Sequence, residues 1–125
     1  MVQELDDVLG DGCEERAPAL ADLTRLKYLE CCIKESLRLY PPVPNIKRWI
    51  GRDVRLAGYT VPAGASVSLH LFALHRRPDL FDRADVYDPD RFASGTSDPF
   101  TFVPFSAGPR NCIGGLRHWV STFCN

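Results

Sequence analysis

The stretch that decides the fold is FVPFSAGPRNCIGG, residues 102–115, which places one cysteine, Cys112, inside a basic loop bounded by glycines. Gly108 and Gly114 permit a tight backbone around the thiol, because glycine adopts conformations that other residues avoid. Arg110 lies two residues from the cysteine, and a nearby cation favours the thiolate, the form that binds metals. A lone cysteine in a turn is also a common inert packing residue, so the loop alone leaves both interpretations open.

Two charged motifs precede this loop along the chain. Glu35 and Arg38 are spaced three residues apart, so on a helix their charged groups share one face. Such pairs are usually exposed and contribute little to stability. In Pro89-Asp90-Arg91-Phe92, Arg91 is either solvated in a turn or folded back to share Glu35 with Arg38, an arrangement that suits a planar guanidinium. The residues themselves do not decide between these alternatives.

The composition excludes several classes of protein. The chain has 125 residues, the length of one domain or a part of one, and a formal net charge of −1. Because there is no basic excess, general binding to nucleic acid is not expected. No apolar run reaches the roughly 18 residues that suggest a membrane-spanning helix, and the acidic start lacks the features of a signal peptide. Five cysteines at irregular spacing favour reduced thiols over a disulfide framework.

Helical periodicity dominates the first third of the chain. Val2 to Leu9 carries an apolar stripe followed by Gly10, a residue that commonly ends helices. Asp22 to Tyr40 has apolar residues three or four positions apart, and Asp22 is expected to cap a short first turn before the main helix. Pro41-Pro42 must end that helix, because the residue before a proline is disfavoured in the α region.

The middle of the chain has the pattern of short strands and turns. Residues 43–50 are expected to be extended, and residues 54–61 form a hairpin that turns at Ala57-Gly58. A second turn at residues 62–64 leads into a half-buried strand, Ser66 to Leu71, in which apolar and polar residues alternate.

The last third of the chain is rich in prolines and is expected to be mostly loop. One helical turn is predicted near Pro78 to Phe81 within residues 76–104. A helix could begin at Cys112, where its N-terminal dipole would favour the thiolate, although Gly114-Gly115 makes that helix less favourable.

Taken together, the motifs resemble those of the cytochromes P450. Phe105 to Gly114 has the pattern F-x-x-G-x-R-x-C-x-G, which is similar to the haem-binding cysteine loop of that family. Glu35-x-x-Arg38 resembles the family's E-x-x-R helix. Pro89-Asp90-Arg91-Phe92 resembles its proline-glutamate-arginine-phenylalanine motif, with Asp90 in place of the glutamate. The three motifs follow the family's order.

The likeness runs from about Val2 to Gly114, and residues 104–114 are similar in detail to the fourth P450 family, many of whose members hydroxylate fatty acids. It implies a fold that is mainly α with a small β-sheet (α+β), as an incomplete C-terminal part of the P450 fold. Residues 1–125 would then be one partial P450 domain, with residues 115–125 as an atypical tail that departs from the family's helix. Relatives carry upstream the long helix with the acid–threonine pair that serves oxygen activation.

The resemblance also assigns roles to individual residues. It implies that Cys112 is the axial thiolate of haem iron, in haem b (iron protoporphyrin IX), and that Arg110 pairs with a haem propionate. Arg48 lies where relatives often place another propionate arginine. The other residues expected at the cofactor shape or pack the loop: Phe105, Gly108 and Gly114. Three further residues are expected to form a buried network that supports the loop: Glu35, Arg38 and Arg91.

The implied function is that of a haem-thiolate monooxygenase, which uses O2 to hydroxylate a lipophilic substrate. In a full-length parent the resemblance implies NADPH-cytochrome P450 reductase as partner and the cytoplasmic face of the endoplasmic reticulum membrane as location, whereas this chain has no anchor and no catalytic residue of its own. The alternative is a catalytically inactive fragment that folds partly or binds haem weakly. A zinc site formed by Cys112, His118 and Cys124 has no familiar spacing and is not expected.

Overall fold

A computed structural model of the chain describes residues 1–10, 18–95 and 98–114. The helices among these residues are α1 (Val2–Leu9), α2 (Leu20–Leu23), α3 (Lys27–Leu39) and α4 (Leu71–Leu74), with a short 3₁₀ helix at Pro89–Phe92. The strands are β1 (Asn45–Trp49), β2 (Val54–Leu56), β3 (Tyr59–Val61) and β4 (Ser66–His70). Within the described part of the chain, no helix has the length and apolar character that crossing a membrane requires.

The first helix is held against the start of α3 by one carboxylate. Helix α1 ends at Gly10, whose φ of 89° is one that glycine adopts readily, and this confirms the predicted end. The two oxygens of Glu4 accept hydrogen bonds from the backbone N–H groups of Tyr28 (2.7 Å) and Leu29 (2.9 Å). Because the first N–H groups of a helix have no partner within it, Glu4 caps α3 from a distant part of the chain.

The predicted cap of the first turn is wrong in its position. The predicted order, a short turn followed by the main helix, is confirmed by α2 and α3. The residue at the N-cap of α2 is Ala19 rather than Asp22. Asp22 lies in the first turn instead, where its carboxylate accepts the Ala19 N–H at 2.9 Å. The carboxylate of Asp22 therefore still caps the N-terminus of α2, but from a position within its first turn.

The strands form two antiparallel pairs. Strands β2 and β3 make the predicted hairpin, in which Ala57 (φ 47°) and Gly58 (φ 87°) both have the positive φ values of a type I′ turn. Strand β1 pairs with β4 in the register Ile46 to Leu69 and Arg48 to Val67. Residues 43–50 were predicted to be extended, with no partner strand. The pairing places them beside β4, which leads directly into α4.

Two elements differ from the predictions. The strand expected to reach Leu71 ends one residue earlier, because Leu71 begins α4. The side chain of Leu69, which the strand pattern places on the apolar face towards the core, is 43% exposed. The proline-rich region contains the predicted turn, in which Phe81 N–H donates to Arg77 O, and also the unpredicted 3₁₀ helix. That helix packs against α3, so a segment predicted to be loop is part of the core.

The core is small and has charged residues at its centre. The buried apolar side chains of the described residues are Leu26, Leu37, Leu39, Leu71, Phe81, Ala84 and Phe92. They surround Glu35, Arg38 and His75, each of which has no exposed surface. A buried charge is tolerated only when it is paired and hydrogen-bonded, so these polar groups require a complete set of partners.

Candidate functional site

The centre of the molecule is an ion pair between Glu35 and Arg38. Both side chains lie on the buried face of α3 and are 0% exposed. Arg38 Nε donates to Glu35 Oε2 at 2.7 Å, and Arg38 Nη2 donates to Glu35 Oε1 at 2.8 Å. This two-bond geometry matches the planar guanidinium to the carboxylate. The pair is thus a buried structural unit and not a solvated pair.

Arg91 folds back onto the same carboxylate. Its Nε donates to Glu35 Oε1 at 3.1 Å, and its Nη1 donates to the carbonyl of Asp82 at 2.8 Å. The backbone N–H of Asp88 also donates to Glu35 Oε1, at 2.8 Å. The structure therefore brings together Glu35, Arg38 and Arg91, the three residues that the sequence singled out as a network.

Arg38 also ties three loop carbonyls to α3. Its Nη1 donates to the carbonyls of His75 (2.8 Å) and Ala84 (2.6 Å), and its Nη2 donates to that of Val86 (3.2 Å). Its guanidinium lies 5.1 Å from the ring centroid of Phe81. A lysine could not make these contacts, because they use the donors of a forked, planar group.

The partners of Glu35 hold it in the ionised form. Burial by itself raises the pKa of this carboxyl, because charge is disfavoured away from water. The hydrogen bonds from Arg38 and Asp88 N–H, together with the charges of Arg38 and Arg91, outweigh burial and bring the pKa below its usual value. The network therefore contains a carboxylate between two guanidinium groups.

His75 is a buried residue that the sequence analysis does not single out and that the structure places between the network and the cysteine loop. Its side chain is fully buried, and its Nε2 accepts the backbone N–H of Val103 at 3.1 Å. Its ring contacts that of Phe102, with the centroids 5.4 Å apart. Burial lowers the pKa of His75 to about 4, and the charges of Arg38 and Arg76 act in the same direction. The imidazole is thus neutral at physiological pH.

We expect His75 to make the stability of the chain dependent on pH. Above the ordinary pKa of 6.5, His75 is neutral in both the folded and the unfolded chain, so it adds no pH dependence. Between pH 6.5 and about 4 the unfolded chain binds the proton while the folded chain does not. The free energy of unfolding should therefore fall by about 2–3 kcal/mol over this range through His75.

Urea unfolding of the unmutated chain and of His75→Gln at several pH values measures this contribution. The variant should lose less stability on acidification than the unmutated chain. The matched control is His70→Gln, which removes an exposed histidine and leaves the His75 contacts in place. It should lose the same stability as the unmutated chain, and equal losses in all three proteins would contradict the prediction.

The loop around Cys112 is closed by backbone hydrogen bonds. The N–H of Cys112 donates to the carbonyl of Phe105 at 2.9 Å, and the N–H of Asn111 donates to the carbonyl of Gly108 at 3.1 Å. Gly108 has a φ of 82°, which explains the glycine there. At Gly114 an added Cβ would meet Cys112 Sγ at 3.7 Å, an ordinary contact, so the described atoms do not require glycine at that position.

Cys112 is exposed and borders a cavity of about 220 Å³. The wall of this cavity also contains Arg48, Phe105 and Arg110, and the rest is mainly apolar: Val43, Ile46, Leu71 and Pro104. Arg48, on β1, donates through Nη2 to Ser106 Oγ and to the carbonyl of Arg110, both at 3.3 Å. These bonds tie the sheet to the cysteine loop.

A second cavity of about 480 Å³ shares part of this wall, including Arg48 and Ser106. Its lining is largely apolar and includes Leu69, Leu74 and Phe100. The exposure of Leu69, which the strand pattern did not predict, is explained by its place in this lining. Together the two cavities present one thiol and two arginines beside a wide apolar surface.

The cavity wall combines a thiol that can bind a metal, two arginines that can bind acidic groups and an apolar lining. Among the described residues, no three histidine, cysteine or acidic side chains lie close enough together to hold a metal ion. Arg48 and Arg110 make no ion pair with the described residues. His118 and Cys124 of the zinc hypothesis lie outside the described residues.

Comparison with solved structures shows what this arrangement is similar to. A zebrafish cytochrome P450, solved with progesterone, matches 98% of this chain with a TM-score of 0.86 and 31% sequence identity. The match covers 27% of that protein's chain. It confirms the expected fold class, helices with small antiparallel sheets in an incomplete P450 fold.

Comparison with curated proteins gives the same result. Cytochrome P450 4c3 of Drosophila melanogaster is 46% identical over 117 residues, and human cytochrome P450 4V2 is 46% identical over 114 residues. These alignments cover 91% and 89% of this chain, which spans only 22% and 21% of the two relatives. The family model described as cytochrome P450 matches residues 1–116. The chain therefore belongs to the cytochrome P450 family, and it is similar to members of the family's fourth group.

Proposed function

We propose that Cys112 is the axial thiolate ligand of a haem iron and that this chain is a C-terminal portion of a P450 monooxygenase. Family membership implies a haem cofactor and a monooxygenase in general terms. The observation that carries the proposal is the cavity at the exposed thiol of Cys112, which Arg48 and Arg110 also border. We further propose haem b, which the family resemblance implies; its two propionates, which other haems share, match these two arginines in number and charge.

Each residue of the loop has a defined task in this proposal. Cys112 would hold the iron through its sulfur, and a thiolate ligand would supply the electron density that oxygen chemistry at the iron requires. The bond from Cys112 N–H to Phe105 O fixes the backbone that carries the sulfur, and Gly108 supplies the turn. When bound, haem supplies the iron at which O2 is activated for insertion of oxygen into a substrate C–H bond.

The arginines position the cofactor. Arg48 and Arg110 approach the cavity from different elements, β1 and the cysteine loop, and Arg48 also contacts the backbone of Arg110. A guanidinium binds a carboxylate through parallel hydrogen bonds, so each arginine suits one propionate. Charge pairing at both propionates would fix the rotation of the haem ring over Cys112.

The buried network holds the loops that lead to this site. Glu35, Arg38 and Arg91 join α3 to residues 75–91 through side-chain and carbonyl contacts. A site must be supported by neighbours that lock its geometry, because small displacements of a reacting group reduce catalysis. We assign the three residues this supporting role and no contact with haem.

The remaining assignments concern a longer protein that contains this sequence. We propose that residues 1–125 are one partial P450 domain and that residues 115–125 are an atypical tail, which is supported by the end of the family match at residue 116. For such a protein we propose a lipophilic substrate, electrons from NADPH-cytochrome P450 reductase and a place on the cytoplasmic face of the endoplasmic reticulum membrane. These assignments are supported by the similarity to fourth-group P450 proteins.

Titration of the 125-residue chain with ferric haem tests the proposal. The Soret absorbance should saturate at one haem per chain, and Cys112→Ser should give a complex with a different spectrum. Cys31→Ser is the matched control, since Cys31 lies on α3, outside the cavity wall. Absence of saturable binding would favour the alternative, a catalytically inactive fragment that folds partly or binds haem weakly. A Cys112→Ser complex identical to that of the unmutated chain would also contradict the assignment.

The contribution of Arg48 is expected to depend on the propionate charge. Arg48→Ala should weaken haem binding about tenfold, the effect of losing a hydrogen bond to a charged group. Binding of haem dimethyl ester, which lacks the propionate charges, should change much less in the same variant. Arg55→Ala removes an equal charge from the exposed hairpin and should leave both affinities unchanged. Equal weakening of haem and ester by Arg48→Ala would show that Arg48 does not bind a propionate.

A further inference from the structure

The buried network and the cysteine loop are linked through His75. On one side, the carbonyl of His75 accepts Nη1 of Arg38 at 2.8 Å. On the other side, Nε2 of His75 accepts the N–H of Val103 at 3.1 Å. His75 is fully buried at the end of α4; its contact with Arg38 is buried, and its contact with Val103 is partly buried. One residue therefore touches both the network and the segment that enters the loop.

The bond to Val103 requires a neutral imidazole with its proton on Nδ1. Because Val103 offers an N–H donor, Nε2 must act as the acceptor, and a protonated imidazole has no acceptor nitrogen. Nδ1 is buried and has no hydrogen-bond partner in the described part of the chain. The charged groups that face the ring, Arg38 from α3 and the adjacent Arg76, both oppose a positive charge on it. The surroundings thus favour a neutral imidazole, and the Val103 N–H selects the tautomer with its proton on Nδ1.

Short backbone bonds continue from Val103 to Cys112. The carbonyl of Val103 accepts the N–H of Ser106 at 2.9 Å, in a turn where Ser106 has a φ of 66°. The carbonyl of Phe105 then accepts the N–H of Cys112 at 2.9 Å. Phe102, which precedes Val103, packs between the rings of His75 and Phe92, with centroid distances of 5.4 Å and 4.8 Å. At the entry to the loop, the backbone is therefore held through the N–H of Val103, and the side chain of Phe102 is held by ring contacts.

We propose that His75 is a positioning residue, whose neutral imidazole accepts the Val103 N–H and so fixes the entry of the loop that presents Cys112. The structural part of this proposal concerns only the protein. The consequence for iron ligation rests on the proposed haem-thiolate function. His75 touches neither the cavity nor Cys112, so it acts through the backbone between residues 103 and 112.

Two variants separate the acceptor from the bulk of the ring. His75→Gln keeps a side-chain acceptor of similar reach, whereas His75→Phe keeps a ring against Phe102 and has no acceptor. In the haem-free chain, amide hydrogen exchange of Val103 should be about five- to tenfold faster in His75→Phe than in the unmutated chain. His75→Gln should restore most of the protection. The amide of Tyr40, which bonds to Ser36 O at the end of α3 and lies outside the contacts of His75, is the reference for exchange away from the loop.

NMR of the unmutated chain tests the same bond without any variant. We expect the Nδ1–H tautomer of His75 and a scalar coupling across the bond from Val103 N–H to Nε2. The Nε2–H tautomer would overturn the proposal. Two exchange results would also overturn it. One is an exchange rate of Val103, relative to that of Tyr40, that is the same in the unmutated chain and in both variants. The other is an increase in that rate that is equally large in His75→Gln and in His75→Phe.

The haem-loaded chain tests the consequence for Cys112. In the reduced, carbon monoxide-bound state, His75→Phe should show a smaller thiolate-type fraction of the Soret absorbance than the unmutated chain, and His75→Gln should recover it. An unchanged fraction in His75→Phe would overturn the effect on the loop. If the unmutated chain shows no thiolate-type band, the proposed function fails, while the exchange and tautomer measurements still decide whether His75 holds Val103.

Discussion

Replacement of Arg38 by alanine is expected to lower the free energy of unfolding by about 3–5 kcal/mol. The change leaves Glu35 buried with the loss of its two-bond partner, and removal of one member of a buried ion pair leaves a charge without compensation. It also removes the donors to the carbonyls of His75, Ala84 and Val86, which then lie without that partner. Arg91 remains near Glu35, but its single bond of 3.1 Å does not replace two shorter ones.

Urea denaturation measures the effect, and Arg77→Ala is the matched control. Arg77 pairs with Asp79 at the surface, where both side chains are more than half exposed, so its loss should leave stability within experimental error. An Arg38→Ala variant that is as stable as Arg77→Ala would contradict the central place of the pair in the fold. Circular dichroism of the variant should show loss of helix together with loss of stability.

Replacement of Glu35 by glutamine is expected to cost about 3 kcal/mol, although it preserves the size of the side chain. The change removes the anion that Arg38 and Arg91 share, so two guanidinium groups repel each other in a largely buried region. One oxygen can still accept a hydrogen bond, but the new amide N–H₂ faces Arg38, which has only donors. The charge of Glu35, rather than its volume, is therefore the stabilising property.

The pH dependence of the same variant gives an independent test. The pKa of Glu35 is lower in the folded chain than its ordinary value of 4.5, so its contribution is fully present above pH 4.5. That contribution is lost as pH falls through the lowered pKa. The stability difference between the unmutated chain and Glu35→Gln should therefore be constant near neutral pH and shrink in acid. A difference that stays constant down to the most acidic folded state would show that charge is not the cause.

Sequence patterns predicted correctly the helix ends and the turn that are determined by neighbouring residues. The end of α1 at Gly10 follows from the conformational freedom of glycine, and the hairpin at Ala57-Gly58 follows from the positive φ values that its turn requires. The break after Tyr40 follows from the two prolines. In each case the residues that determine the structure are adjacent in sequence.

The features that escaped prediction depend on contacts between distant residues. Glu4 caps α3 across more than twenty residues, and nothing in the first helix marks it as a cap. The residues around His75 do not indicate that its partner is Val103, because the two are 28 residues apart in sequence. The Asp22 cap was misplaced by a few residues because a carboxylate can serve a helix end from the N-cap or from within the first turn.

The residues of the candidate site were predicted from the sequence, but most contacts between them were not, because those contacts join residues that are distant in sequence. The chemistry of Cys112, Arg110 and Arg48 was inferred from a family pattern, and the structure brings all three to one cavity wall. The bond from Arg48 to Ser106 and the alignment of β1 with β4 could not be deduced from spacing. Arg91 remained ambiguous in the sequence because its partner, Glu35, lies 56 residues away.

The reduced, carbon monoxide-bound absorption spectrum of the 125-residue chain with haem tests the haem-thiolate assignment of Cys112 most directly. We predict a thiolate-type Soret band in the unmutated chain and in the Cys31→Ser control, and its complete loss in Cys112→Ala. Absence of this band from the unmutated chain, or its persistence in Cys112→Ala, would contradict the assignment.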